Sequence, residues 1–208
     1  QAEYQEKKAQ YEHSVASAQA CLDAPCIAKD GSSFALGVNI GSEQDEIDLK
    51  HAEFVGLFRT EFLYMKRTHL PTEEEQYQIY CTVLKKAGGR PVTLRTLDIG
   101  GDKSLSYLQL PQEQNPFLGN RAVRLCFSNP DLFRTQLRAA LRAAAEGPLQ
   151  LMFPMVGSLE DIRRAVSFVD EVKAELTRDA IPFCSKLPLG VMIEIPSVAL
   201  IADLVAQE

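Results

Sequence analysis

Pro91-Val92-Thr93-Leu94-Arg95-Thr96-Leu97 runs without a break into Asp98-Ile99-Gly100-Gly101-Asp102-Lys103, an apolar stretch that ends in charge and glycine. A run of this length closed by turn residues reads as one strand of a parallel sheet. Four more share its form: Phe34 to Ile40, Phe54 to Phe58, Leu149 to Val156 and Leu189 to Ile195. Longer helical patterns lie between them. Thr72 with Glu75 forms a capping box, and Gly88-Gly89 closes the helix that it opens. Ser158 with Asp161 repeats the device, and Asp131 to Ala145 carries Leu132, Phe133, Leu137, Leu141 and Ala144 near helical spacing. A last helix is expected after Pro196. This alternation makes the fold class α/β, with β-α repeats and a parallel sheet buried on both faces. Five such units are too few for a complete (β/α)8 barrel, which usually takes ~250 residues. Periodicity leaves two architectures open, a doubly wound open sheet and a truncated barrel, because both use the same right-handed unit.

Outward from these repeats, residues 3–22 are polar, Ala-rich and free of Gly and Pro, which predicts a connector helix. Asp23 to Ser33, with Pro25, Asp30 and Gly31, carries turn chemistry. The expected division is a connector and linker over 1–32 and the main domain over 33–208. With no initiator Met and no signal-peptide pattern at the start, the sequence reads as part of something longer. Apolar residues at 46% and charged residues at 24% of 208 exclude a disordered chain. A formal charge of −6 argues against a nucleic-acid partner. Leu187 to Ile195 is about half of the ~20 residues a membrane span requires, so no membrane insertion is expected. Cys21, Cys26, Cys81, Cys126 and Cys184 are odd in number and scattered, which suits reduced thiols in a cytoplasm better than disulfides or a metal site. His13, His51 and His69 read as solvated surface residues.

Functional groups of parallel α/β folds gather at the carboxyl ends of strands. The second run ends in Arg59-Thr60-Glu61, where a period of two would aim Arg59 and Glu61 the same way. Arg95 stands equivalently on the third, beside a glycine pair that admits an anion to backbone amides. Two strand-end arginines would converge. Guanidinium matches carboxylate or phosphate bidentately, so this cluster in an acidic chain suggests a small polyanionic substrate. The loop-like segment Asn115 to Arg124 could add Arg121 or Arg124. Glu194, in Met192-Ile193-Glu194-Ile195-Pro196, is an acid in an apolar strand and requires a partner. Mg2+, which takes one or two carboxylates plus substrate oxygens, is one such partner. Taken singly the signals are weak: Arg59 could pair with Glu61, Glu194 could be a structural acid, and Gly100-Gly101 could be only a turn. Arg134, Arg138 and Arg142, four residues apart, read as a solvated helix stripe without chemistry.

Taken together, the segments resemble the phosphoenolpyruvate-binding barrel of the enzyme I family of the bacterial phosphoenolpyruvate-dependent sugar phosphotransferase system. The resemblance runs through Val38-Asn39-Ile40-Gly41, Gly56-Leu57-Phe58-Arg59-Thr60-Glu61-Phe62-Leu63 and Leu70-Pro71-Thr72-Glu73-Glu74-Glu75-Gln76. It continues through Arg95-Thr96-Leu97-Asp98-Ile99-Gly100-Gly101-Asp102-Lys103, Asn115-Pro116-Phe117-Leu118-Gly119, Met152-Phe153-Pro154-Met155 and Gly190-Val191-Met192-Ile193-Glu194-Ile195-Pro196. Multiphosphoryl transfer proteins and nitrogen-related paralogues share these motifs, and pyruvate phosphate dikinase is a more distant cousin. The resemblance implies a (β/α)8 TIM barrel, truncated here after about five strands. It implies that Arg59 and Arg95 bind phosphoenolpyruvate, that Arg121 lies near the transferring phosphoryl group, and that Glu194 is the first of two acidic Mg2+ ligands. It further implies transfer to a histidine on a separate swivelling domain, then to a histidine-containing phosphocarrier protein for sugar uptake, by a cytoplasmic homodimer. Asn120 departs from the pattern, where an aromatic or bulky residue is common, and this touches local packing only. The acceptor histidine, the second metal carboxylate with its Asn, a further arginine and the cysteine that protonates the enolate have no counterpart in this chain. No catalytic residue is therefore expected within it, and alone it should be inactive, with its first and fifth strands as open edges that favour association. The alternatives are a non-catalytic phosphoenolpyruvate-sensing or dimerisation module and, more remotely, a lyase that uses an enolate and Mg2+.

Overall fold

The computed structural model describes residues 2–21, 24–48, 50–65, 67–100, 105, 107–108 and 113–208. Five strands, β1 (Gly37–Ile40), β2 (Phe54–Arg59), β3 (Val92–Arg95), β4 (Leu149–Phe153) and β5 (Leu189–Val191), lie side by side in chain order. Every neighbouring pair is parallel. The order never reverses, so there is no topological switch point and the doubly wound alternative falls. β1 and β5 are the two edges, and the sheet is open. Each apolar run holds a strand, yet each strand is shorter than its run except β2, which extends to Arg59. Beyond β3, Thr96 N–H still reaches Met152 O at 3.0 Å, but Leu97 N–H turns to the Gln136 side chain at 2.9 Å, and the ladder stops there.

The helices are α1 (Ala2–Cys21), α2 (Glu61–Met65), α3 (Glu73–Lys86), α4 (Ala122–Ser128), α5 (Pro130–Ala143), α6 (Leu159–Arg178), α7 (Pro196–Leu200) and α8 (Ala202–Val205). α3 opens with the expected box: Glu75 N–H donates to Thr72 Oγ1 at 3.2 Å, and Thr72 N–H donates to Glu75 Oε2 at 2.8 Å. Ser158 caps α6 by accepting from Asp161 N–H at 3.2 Å, but the Asp161 carboxylate takes Gly157 N–H instead of closing a box. The helix expected after Pro196 breaks at Ile201 into α7 and α8. α1 keeps residues 3–19 exposed, as its polar composition predicts. No helix among the described residues is long and apolar enough to cross a membrane.

One face of the sheet supplies the core. Val55, Phe58, Val92, Leu94, Leu149, Leu151 and Phe153 are buried with Tyr80, Leu84, Phe133, Leu137, Leu141 and Val169 of α3, α5 and α6. The alternating positions Thr93, Gln150 and Met152 keep contact with solvent, so the expectation of a sheet buried on both faces is corrected. Right-handed crossovers between successive neighbours would put helices on this side, where α3, α5 and α6 contribute to the core. The arginines of α5 also correct their reading as a solvated stripe. Arg138 bonds Glu73 of α3 at 2.6 Å and Asp179 at 3.1 Å; Arg142 bonds Glu73 and Glu74; Arg134 bonds Glu175 of α6 at 2.8 Å. They tie three helices together. His51 is likewise not simply solvated, since its Nδ1 lies 2.6 Å from Asp48 Oδ2.

Beneath the strand ends runs a buried polar network. Gln136, fully buried on α5, accepts Leu97 N–H and donates to Thr60 Oγ1 at 3.1 Å and Tyr80 Oη at 3.3 Å. Tyr64 and Tyr80 both donate to Gln76 Oε1, at 3.1 and 2.9 Å. Burial pushes both phenols up, which keeps them neutral donors. Replacing Gln136 by Leu strands the buried Leu97 N–H and should cost about 1–3 kcal/mol. Urea denaturation of the chain reads this directly, and a loss under about 0.5 kcal/mol would show that Gln136 does not hold the strand end.

Candidate functional site

At the carboxyl end of the sheet, Arg59 closes β2 and Arg95 closes β3, and the register makes the two residues direct neighbours. The expected pair of strand-end arginines is therefore brought together. Arg59 is exposed, its guanidinium 5.1 Å from the centre of the Phe62 ring. The period of two does not continue past it. Thr60 turns the chain, its Oγ1 donating to Arg95 O at 2.8 Å, and Glu61 opens α2. Glu61 is 1% exposed and accepts from Arg95 Nη2 at 2.7 Å. The carboxylate thus belongs to Arg95 and not to Arg59, which corrects the expectation that the two side chains point alike.

The Arg95 side chain is 8% exposed. Its Nη2 also lies 3.3 Å from Asp98 Oδ2, and its Nη1 lies 3.8 Å from Met192 Sδ. Arg95 Nε is buried without a hydrogen-bond partner among the described residues.

Arg121 joins from the start of α4. Its Nε and Nη2 donate to Asp98 Oδ1 at 3.2 and 2.7 Å. Two close approaches fix it there. Ala122 N–H donates to Ile99 O at 3.0 Å, and Gly100 lies so near that a Cβ on it would stand 2.5 Å from Arg121 Cβ and 2.9 Å from Arg121 Cα. Gly100 also has φ +119°, a conformation that L side chains rarely adopt. This glycine serves the approach of Arg121; Gly101, Asp102 and Lys103, the rest of the glycine-bearing segment, lie outside the described residues. The segment around Arg121 is also not a plain loop, for it holds a 3-10 turn at Pro116–Leu118 and the start of α4. Arg124 turns away and donates to the carbonyls of Leu118 and Gly119.

Glu194 lies three residues past the end of β5 and is exposed, so it is not the buried strand acid that the sequence suggests. Its Oε1 accepts from Met155 N–H at 2.7 Å, and Met155 holds φ +57° to present that N–H. Ala122, beside Arg121, sits at φ +51°. Two of the three non-glycine residues with positive φ among the described residues therefore flank the candidate groups, and each such conformation costs on the order of 1–3 kcal/mol. No group of three or more His, Cys, Asp or Glu among the described residues could hold a metal ion. Cys26 is an exposed free thiol, while the side chain of Cys21 lies outside the described residues. Cys126 is buried, its thiol pushed up by burial and by the charge of Asp98, which keeps it protonated and unreactive. Sequence reasoning missed Asp98 and the true partner of Glu61. Asp98 follows Arg95 by three residues, a spacing that pointed to no pairing once the run was read as a strand.

Residues 15–208 match the family model described as PEP-utilising enzyme, PEP-binding domain. Phosphoenolpyruvate-protein phosphotransferases of Geobacillus stearothermophilus and Staphylococcus carnosus (strain TM300) are each 47% identical over 209 residues, which is 100% of this chain and 36% of theirs. That of Bacillus subtilis (strain 168) is 47% identical over 208 residues, 99% of this chain and 36% of its own. The chain spans little more than a third of the length of these relatives.

Gly100 and Gly89 make a matched pair of tests. Both hold positive φ, +119° and +83°, but a Cβ at Gly89 meets nothing within 4 Å. Gly89→Ala should cost about 1–2 kcal/mol for its backbone alone. Gly100→Ala should cost more, because Arg121 must also shift, and chemical denaturation of the two variants measures the excess. Equal losses would show that the approach of Arg121 to Gly100 does not constrain the site.

Proposed function

The chain belongs to the PEP-utilising enzymes, in their PEP-binding domain family, and from that premise we propose that it forms the donor-binding part of a phosphoenolpyruvate-protein phosphotransferase. The observation that carries this reading is Arg95, a buried guanidinium anchored through Nη2 whose Nε has no partner among the described residues. A donor left unmet inside the protein calls for a ligand acceptor. Arg59 beside it and Arg121 across Asp98 complete a cationic rim suited to a small molecule bearing both carboxylate and phosphate. In this role Arg59 and Arg95 grip phosphoenolpyruvate, and Arg121 faces the phosphoryl group. Their charges neutralise the phosphoryl oxygens as the bond to the enolate oxygen breaks.

Glu194 fits a hard divalent cation in a limited sense. Met155 N–H fixes one carboxylate oxygen and leaves the exposed group able to offer the other, while Mg2+ needs only one or two carboxylates when substrate oxygens complete its shell. Mg2+, when bound, would add charge neutralisation at the phosphoryl group. The sequential parallel strand order and the alternation of strands with helices support the leading five strands of a (β/α)8 barrel, with residues 1–32 as connector. The acceptor histidine, the phosphocarrier partner, the homodimer and the cytoplasmic setting follow from the resemblance, and the free buried thiols of Cys81 and Cys126 suit a reducing compartment. The relatives carry the name of an enzyme, which gives the non-catalytic sensing module no support.

Arg59→Ala tests the reading cleanly, because an exposed side chain can be removed with little damage to the fold. Calorimetric titration with phosphoenolpyruvate and Mg2+ should show affinity lowered at least tenfold, with stability changed by no more than about 1 kcal/mol for the lost ring contact. Glu194→Gln should abolish the dependence of that affinity on Mg2+. Absence of phosphoenolpyruvate binding by the unaltered chain, or equal binding by Arg59→Ala, would overturn the proposal.

A further inference from the structure

Two guanidinium groups that meet one anion repel each other until it arrives, and a site that keeps them together beforehand needs something to offset that repulsion. Asp98 occupies this position. It is 4% exposed, lies between Arg95 and Arg121, and divides its oxygens between them: Oδ1 accepts from Arg121 Nε and Nη2 at 3.2 and 2.7 Å, and Oδ2 lies 3.3 Å from Arg95 Nη2. Glu61 also pairs with Arg95, and Asp98 is the carboxylate that pairs with both arginines. Each arginine is held by part of its fork and keeps another part for a ligand: Nη1 on Arg121, and Nε on Arg95, which is buried and unmet. The backbone reinforces this arrangement, because Ile99 O accepts Ala122 N–H one residue beyond each partner.

We infer that Asp98 is a positioning residue, the shared anchor that pre-organises Arg95 and Arg121 for the phosphoryl end of the ligand. The inference rests on the reading of these arginines as the phosphoenolpyruvate site. Asp98 itself touches no ligand; it acts through the two guanidinium groups, which distinguishes it from Arg59, a group with no carboxylate partner in a salt bridge among the described residues. Preorganised charge of this kind spends no binding energy on gathering the donors when the ligand arrives. Asparagine in its place keeps the shape and one acceptor oxygen, but sets an NH2 group against one arginine or the other, so it can hold only one of them.

The test is a double-mutant cycle in phosphoenolpyruvate affinity, with Mg2+ present, on the 208-residue chain. Asp98→Asn should weaken binding roughly tenfold or more, the scale of one charge-assisted hydrogen bond. Arg121→Met should weaken it at least as much. The double variant should lose clearly less than the product of the two single losses, because Asp98 acts in part through the side chain already removed. A purely structural role for Asp98 predicts losses that multiply, and that result would overturn the inference, as would Asp98→Asn binding like the unaltered chain. No binding by the unaltered chain would overturn the proposed function and this inference together. If Asp98→Asn fails to fold by circular dichroism, the unaltered chain decides: the Arg121 Nε–H should exchange with water far more slowly than those of exposed arginines without ligand, and equally fast exchange would overturn the inference.

Discussion

A guanidinium withdrawn from water must be met by carboxylate, and at Arg95 that requirement organises the end of the sheet. β2 cannot simply run on, because Glu61 has to reach back to Arg95 Nη2, and it does so as the first residue of α2. Thr60, the residue between, spends its hydroxyl on Arg95 O. Gln136 then takes the next free strand-end amide, Leu97 N–H, and passes the network on to Thr60 and Tyr80. The turn after β2, the stop of β3 and the seat of α5 thus answer to one buried charge and the backbone around it.

The second constraint is one of approach. Arg121 is 23 residues beyond Asp98, and it can cap the site only if two stretches of main chain come almost into contact. Gly100 allows that contact, Ala122 accepts a left-handed φ for it, and the Ala122 N–H bond to Ile99 holds it. Met155 bears a similar cost to present its amide to Glu194. Strain of this sort persists only where surrounding contacts determine it fully, and here it marks both flanks of the cationic rim.

What the sequence disclosed followed the range of the interactions involved. Strands and helices, set by local period and capping, were legible: all five apolar runs hold strands, and Thr72 with Glu75 caps α3 as expected. Arg59 and Arg95 were legible because strand ends are where parallel folds collect function. Arg121 stood beside Arg124 as an equal candidate, and only the resemblance separated them. Long-range pairings were not legible. The link of Glu61 to Arg95 spans 34 residues and that of Arg138 to Glu73 spans 65, and no pattern along the chain encodes either. The period of two placed Glu61 wrongly because it assumes the strand continues, whereas the buried charge on β3 ends it. The open face of the sheet escaped notice for a related reason: apolar runs look the same whether helices cover one face or both.

An acidic chain proposed to bind an anion poses a last question of scale. The formal charge of −6 would seem to repel a polyanion, yet at physiological salt charges are screened beyond about 8 Å. Recognition therefore depends on what stands within that distance. There, Arg95 and the partly buried Arg121 are balanced by Glu61 and Asp98, so the charges of the quartet offset one another and it can be formed without a large desolvation imbalance. Arg59 adds an exposed positive charge beside it. Under the proposed reading the arrangement separates two tasks that one unpaired arginine cluster could not combine: the quartet keeps directed donors fixed, and Arg59 supplies the net charge that favours an arriving anion.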